Sequence, residues 1–254
     1  MMSAPAPNPT KLKPWLHLGG KNPEFHALLR EGKDFCVEGK KIALSSLVIA
    51  QQVHDDGVHV CKAEDSGAGI TQPKIAGADA LITTIPGQYL LIRTADCYPI
   101  LLEDKQGRVV AAIHSGREGT RLNIVGKTIR VLSEEFGIQP VELWAHVGAG
   151  ICAQHYQVDE TTWQHFRQSQ PLPCLCNPED GSRVIDLRVA VFRQLIEAGL
   201  PFYNIEQDFA CTLESSNHHS HRRDGGPQRQ INLIGLEYEQ DPQEPSREYP
   251  AGTA

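Results

Sequence analysis

Apolar and polar positions along this chain follow two different rhythms. Short apolar runs, "ADALITT", "GQYLLIRTAD" and "RVVAAIHS", are separated by Gly, Pro or polar turns and predict strands. "KIALSSLVIAQQVH" predicts strand running into the turn "HDDG", and "VELWAHVGAG" predicts another strand. Over 123–136, Ile124, Thr128, Ile129, Leu132 and Phe136 recur near helical spacing, with Gly137 as a stop. "DETTWQHFRQS" predicts a helix capped by Asp159. "DLRVAVFRQLIEAGL" predicts an amphipathic helix in which Leu187, Val191, Leu195 and Ile196 share a face and Gly199 closes the end. "YNIEQDFACT" and "QRQINLIGLEY" predict late strands. Strands and helices are interspersed without strict βαβ alternation, so the fold class is mixed α/β (α+β).

No repeat of 20–50 residues and no internal Pro/Gly/Ser-rich linker divides the chain. The expected organisation is a partly ordered segment 1–20, a single domain 21–239 and a flexible, polar, Pro-rich tail 240–254. Hydrophobic residues make up 40% and charged residues 22% of 254, enough for one substantial core. A net charge of −7 argues against nucleic acid and anionic membranes as partners. No apolar run approaches the roughly 20 residues needed to span a bilayer, and 1–10 lacks the apolar core of a signal peptide. The expected location is cytoplasmic, and the expected state is a monomer or small homo-oligomer. Seven scattered cysteines without an export signal favour reduced thiols, most of them filling core space.

Two of those strands end on residues that bind metals. Cys97 follows "LLIRTAD", His114 closes "VVAAI", and His54 stands after the apolar run upstream. Two imidazoles and a thiolate make a three-ligand zinc site with a fourth position open, although spacings of 43 and 17 residues require tertiary structure to assemble it. His59, His146, His155 and His165 are expected on the surface or on strand faces. "NHHSHRRDGGPQR" reads either as an exposed polar loop or as a clamp for phosphate, since guanidinium binds phosphate bidentately. "CLC" at 174–176 lacks a second pair and reads as loop. Walker, GxGxxG and GxSxG motifs are absent from the sequence.

Six ordered segments, "QQVHDDGV", "GADALITT…TADCYPILLED", "VVAAIHSGREG", "GAGICAQHYQVD", "VIDLRVAVFRQLIEAGL" and "ACTLESSNHHSHRRDGGPQR", resemble the YfiH-like, or laccase-domain, family over roughly 43–236. The resemblance implies a layered α/β/β/α single domain with a zinc site on the positions matching His54, Cys97 and His114. Copper is the alternative metal. It implies a purine nucleoside enzyme that phosphorolyses adenosine, inosine or methylthioadenosine and deaminates adenosine, with nucleoside and phosphate as small-molecule partners. Arg222, Arg223 and Arg229 are then candidates for phosphate, Gln52 for the base, and Arg117 and Glu118 for substrate contact. Three further readings accompany it: a cysteine or zinc amidohydrolase editing a peptidoglycan precursor, a copper phenol oxidase, and a non-catalytic metal-binding module. The chain departs from the family where His-Ala-Gly-Trp-Arg-Gly becomes His114-Ser115-Gly116-Arg117-Glu118-Gly119. It also departs at Gly148-Ala149-Gly150-Ile151, in place of Gly-Pro-x-Ile, and at His219-Ser220-His221 before the arginine pair.

Overall fold

The computed structural model describes residues 11–21, 29, 31, 34–176 and 180–239. The expected tail 240–254 and residues 1–10 of the expected N-terminal segment lie outside the described residues. The first sheet has four strands in the order β1 (Leu12–Leu18), β15 (Gln230–Tyr238), β7 (Tyr89–Thr94) and β4 (Leu47–Ile49). The second has six, in the order β14 (Ile205–Gln207), β10 (Leu143–Val147), β8 (Tyr98–Asp104), β9 (Val110–Ser115), β6 (Ala80–Thr83) and β5 (Val58–Val60). Two small sheets flank them, the hairpin β2 (Phe35–Val37) with β3 (Lys40–Ile42), and β11 (Gln157–Val158), β13 (Arg183–Ile185) and β12 (Cys174–Cys176). Pairing within the large sheets is mixed: β8–β9 and β7–β15 are antiparallel, while β4–β7 and β5–β6 are parallel.

The apolar runs are continuous because their strands are covered on both faces. Along β9, Val110 and Ala112 face the first sheet, whereas Ala111 and Ile113 face helices. Leu101 on β8 and Leu90 and Ile92 on β7 complete the layer between the sheets. The helical side is built by α2 (Ile124–Phe136), α3 (Glu160–Ser169) and α4 (Leu187–Glu197), which pack Ile124, Ile129, Phe166, Leu187 and Val191 against the second sheet. Each helix has a side-chain cap at its start: Asn123 accepts from the Gly126 N–H, Asp159 from Thr162 and Asp186 from Val189. The outer face of the first sheet packs Leu91 and Leu233 against Val37, Ile42 and Leu44. The mixed α/β class therefore holds, with two large sheets face to face and helices over the second.

Three local expectations change. "CLC" is strand β12, paired with β13, because Cys174 lies opposite Ile185 and is drawn into the sheet. "KIALSSLVIA" is not one strand: a turn of 3-10 helix at Leu44–Ser46 separates β3 from β4. Ile196 is exposed at 38%, whereas Leu187, Val191 and Leu195 of its predicted face are buried. At 100° per residue it lies a full step beyond Leu195 and leaves the stripe.

Leu101 is fully buried between the sheets. Leu101→Ala should cost about 2–5 kcal/mol in urea unfolding. A loss below about 1 kcal/mol would mean that the two sheets close over the vacated volume.

Candidate metal centre and substrate cavity

The segment Ala95–Asp96–Cys97 is a corner where the chain leaves β7 in the first sheet and enters β8 in the second. Asp96 takes a left-handed φ of 82° to make the turn. Its carboxylate fixes the corner by accepting the Thr212 hydroxyl and the Arg222 backbone N–H, each at 2.7 Å. Tyr98 pairs with Ser115 and Pro99 with His114 across β8–β9. Continuing that register sets Cys97 opposite Gly116, so that Cys97 and His114 occupy a diagonal on one face. His54 comes from the loop between β4 and β5, with a left-handed φ of 64°. The sulfur and imidazole nitrogens of His54, Cys97 and His114 all lie within 4.8 Å of one another. The two imidazole rings meet edge to face, 4.7 Å between centroids.

Asp79, just before β6, orders this set. Its buried carboxylate accepts from His114 Nδ1 at 2.6 Å and from the backbone N–H groups of His54 at 3.0 Å and Asp55 at 3.1 Å. Burial pushes the Asp79 carboxyl up, but these donors outweigh it and hold the group ionised, below its usual range. With Nδ1 engaged, His114 presents Nε2 to the site, the arrangement seen in carboxylate–histidine–metal triads. Burial likewise pushes the Cys97 thiol up, but the neighbouring His114 and His54 outweigh it and bring it down to about 6. A thiolate and two imidazoles are a donor set for zinc, and also for copper. Gly116 leaves the room: a Cβ there would stand 3.2 Å from both Cys97 Sγ and His54 Cδ2. The residues fit a bound metal.

These groups form part of the lining of a cavity of about 600 Å³. Its walls carry Arg93, Arg117, Arg222, Arg229 and His221, with Gln52, Glu118 and Tyr156. A chain of net charge −7 thus gathers four arginines around one opening. The Nε of Arg93 is buried there without a hydrogen-bond partner among the described residues. Arg222 lies over the Tyr156 ring at 5.4 Å and donates to the carbonyls of His155 and Gln157. Arg229 donates to the carbonyls of Gly226 and Gln228.

Two predicted contacts have other work. Arg223 does not line the cavity; it donates to the carbonyls of Thr212, Leu213, Ser215 and His218 and pairs with Asp224, holding the loop 212–218 in shape. The Gln52 amide lines the cavity but bonds the Arg93 backbone twice, donating to its C=O at 2.7 Å and accepting its N–H at 2.9 Å. Gln52 therefore positions Arg93 instead of offering a free amide. Glu118 pairs with Arg121, which holds its carboxyl below the usual range, while Arg117 begins the short helix α1 (Arg117–Arg121) at the rim.

Sequence reasoning missed Asp79, Arg93, Asp96 and Tyr156. Asp79 had a positional signal, a carboxylate directly before a buried apolar strand, and Arg93 an analogous one inside "LLIRTAD". Of the histidines expected on the surface or on strand faces, His146 pairs with Glu103 and Glu206. His155 instead faces two thiols.

Residues 25–237 match the family described as multi-copper polyphenol oxidoreductase laccase. The chain belongs to this family. Among its relatives is a purine nucleoside phosphorylase of Corynebacterium glutamicum, 33% identical over 190 residues that cover 75% of this chain and 74% of that one. Another is the adenosine deaminase RL5 of an unknown prokaryotic organism, 32% identical over 193 residues, 72% of each chain. The crystal structure of the hypothetical protein YfiH of Bacillus licheniformis is similar over 76% of this chain and 75% of its own, with TM-score 0.71 and 28% identity. This laccase-domain chain thus shares its fold with YfiH, and its relatives' names are those of nucleoside enzymes. No helix among the described residues is long and apolar enough to cross a membrane.

If Asp79 sets the ring of His114, Asp79→Asn should weaken zinc binding about 10–100-fold in a chelator competition. Undiminished affinity would mean that packing alone orients the imidazole.

Proposed function

We propose that this protein is a zinc-dependent purine nucleoside enzyme that cleaves the glycosidic bond with phosphate and also deaminates adenosine. The observation that carries this reading is the pairing of a three-ligand centre with an arginine-rich wall in one cavity. The names of the relatives support the substrate class.

His54, Cys97 and His114 would hold the metal, which when bound supplies Lewis acidity at the floor of the cavity. Arg93, Arg222 and Arg229 hold phosphate, with the buried Arg93 Nε–H as the donor most in need of an acceptor. In phosphorolysis a phosphate oxygen forms a bond to the anomeric carbon, and the carbon–nitrogen bond to the purine breaks, its electron pair leaving with the base. The bound anion stabilises the positive charge that develops on the sugar. Tyr156, half-buried beside Arg117 and Arg222, offers an aromatic face to the ligand. Gln52 holds the backbone that carries Arg93. Arg223 holds the loop beyond and acts on phosphate only through it.

The cytoplasm is the expected compartment, and a nucleoside and phosphate pool is the expected company. A reading as a multicopper oxidase would call for further metal groups around the substrate. The other two metal-capable groups among the described residues, Cys152/His155/Cys211 and His59/Cys61/Asp65, do not line the cavity.

Zinc-loaded protein should release free base from adenosine, inosine or methylthioadenosine only when phosphate is present, and ammonia from adenosine without it. Arg93→Ala should raise the KM for phosphate about tenfold or more, as removal of a charged hydrogen bond worth about 1.5–3 kcal/mol requires. No base release from any of the three nucleosides would end the phosphorylase reading, and an unchanged phosphate KM would remove Arg93 from it.

Arg117 stands at the rim, at the position where the family resemblance implies tryptophan. Replacing it, Arg117→Trp, should lower the KM for unmodified nucleosides, because a broad apolar face then meets the ligand without a charge to hydrate. A KM that stays the same in a folded, metal-loaded variant would show that this position does not contact the nucleoside.

A further inference from the structure

Behind the cavity wall, a second set of soft donors converges on one point. Cys152 precedes a turn of 3-10 helix at Ala153–His155, which folds His155 back so that its Nδ1 lies 3.2 Å from Cys152 Sγ. Cys211 arrives from the segment after β14; its Sγ lies 3.6 Å from the same nitrogen and accepts the Cys152 N–H at 3.3 Å. Glu214 brings a carboxylate oxygen to 3.5 Å from that nitrogen. One ring nitrogen offers one hydrogen-bonding direction, yet two sulfurs and a carboxylate crowd it.

The distances match those around a tetrahedral ion. Zinc bonds of about 2.3 Å to sulfur and 2.0–2.1 Å to nitrogen place neighbouring ligands about 3.4–3.8 Å apart. The Cys152, His155 and Cys211 ligand atoms all fall within 4.8 Å of one another. His59, Cys61 and Asp65 form the other such group, but there Asp65 is already committed to His59 and to the Lys62 N–H.

We propose that Cys152, His155 and Cys211, completed by Glu214, form a second, structural site for a zinc-class divalent ion, distinct from the cavity centre. The Glu214 side chain is 63% exposed and free to settle into the fourth position. An ion there ties the segment 150–156 to the segment 210–214. Both segments shape the cavity wall: Thr212 donates to Asp96 and to the Gly150 carbonyl, Ile151 donates to the Asp96 carbonyl, and Arg222 donates to the His155 carbonyl. Tyr156 follows directly and lines the cavity. The second ion would therefore brace the wall while taking no part in the reaction.

The test starts from full-length protein, reduced and stripped of metal. Titration with zinc should load about two ions per chain, and Cys97→Ala should still load about one. In Cys97→Ala, cobalt(II) should give the near-ultraviolet charge-transfer band of a two-thiolate site, and adding Cys152→Ser should reduce it to that of a single thiolate or remove it. A second arm needs no substitution. Maleimide labelling read by mass spectrometry should modify Cys152 in the zinc-free protein and spare it after zinc is added. Cys36 and Cys176, both exposed, should label in either state. Cys152 labelling that zinc does not change would overturn the site even if the Cys97→Ala protein failed to fold. A folded Cys97→Ala protein that retains no zinc would overturn it as well. Loss of one ion in Cys97→Ala with full retention in Cys152→Ser would support the cavity centre alone and reject the second site.

Discussion

The cavity centre depends on the carboxylate of Asp79. Three donors from two separate stretches of chain reach it: the His114 ring and the backbone N–H groups of His54 and Asp55. One buried anion therefore sets the angle of one ligand and the position of the loop carrying a second. Leaving it unsatisfied would cost more than any one of its bonds contributes. The left-handed backbone at Gln52 and His54 is held against its own preference by this anchoring and by the Gln52–Arg93 pairing. The third ligand, Cys97, is placed by a different device, the corner between the sheets, with Asp96 as its rivet.

Much of the fold was legible because it is written in local signals. Asp159 and the glycines Gly137 and Gly199 mark helix ends by chemistry that acts within a few residues. Cys97 and His114 were visible as reactive residues at strand ends. Their convergence with His54, by contrast, rests on the family resemblance and on tertiary pairing, since nothing local spans 43 residues. Arg223 illustrates the limit best. Next to Arg222 in sequence it looks like half of a clamp, yet a short helix, α5 (His221–Asp224), turns the two guanidinium groups to different sides. Gln52 lines the cavity, but its bond to a strand 41 residues away lies beyond local pattern.

The chain is acidic overall and its opening is basic, a separation that only the fold produces. Such a local field concentrates anions at the mouth. Arg117 at the rim adds to this field. The centre and the wall are thus built from separable parts.

The strand β15, late in the chain, lies between β1 and β7 and pairs with both along most of its length. The first sheet consequently has no continuous hydrogen-bonded ladder from β1 to β7 until residues near 238 have left the ribosome. The neighbouring Arg222 and Arg229 emerge only shortly before it. Nascent chains can assemble the second sheet earlier, since β5 to β10 come first and need only β14 to finish. Ordering of the first sheet and completion of the cavity thus coincide, once β15 is available to pair, and the long sequence separations involved make that step slow.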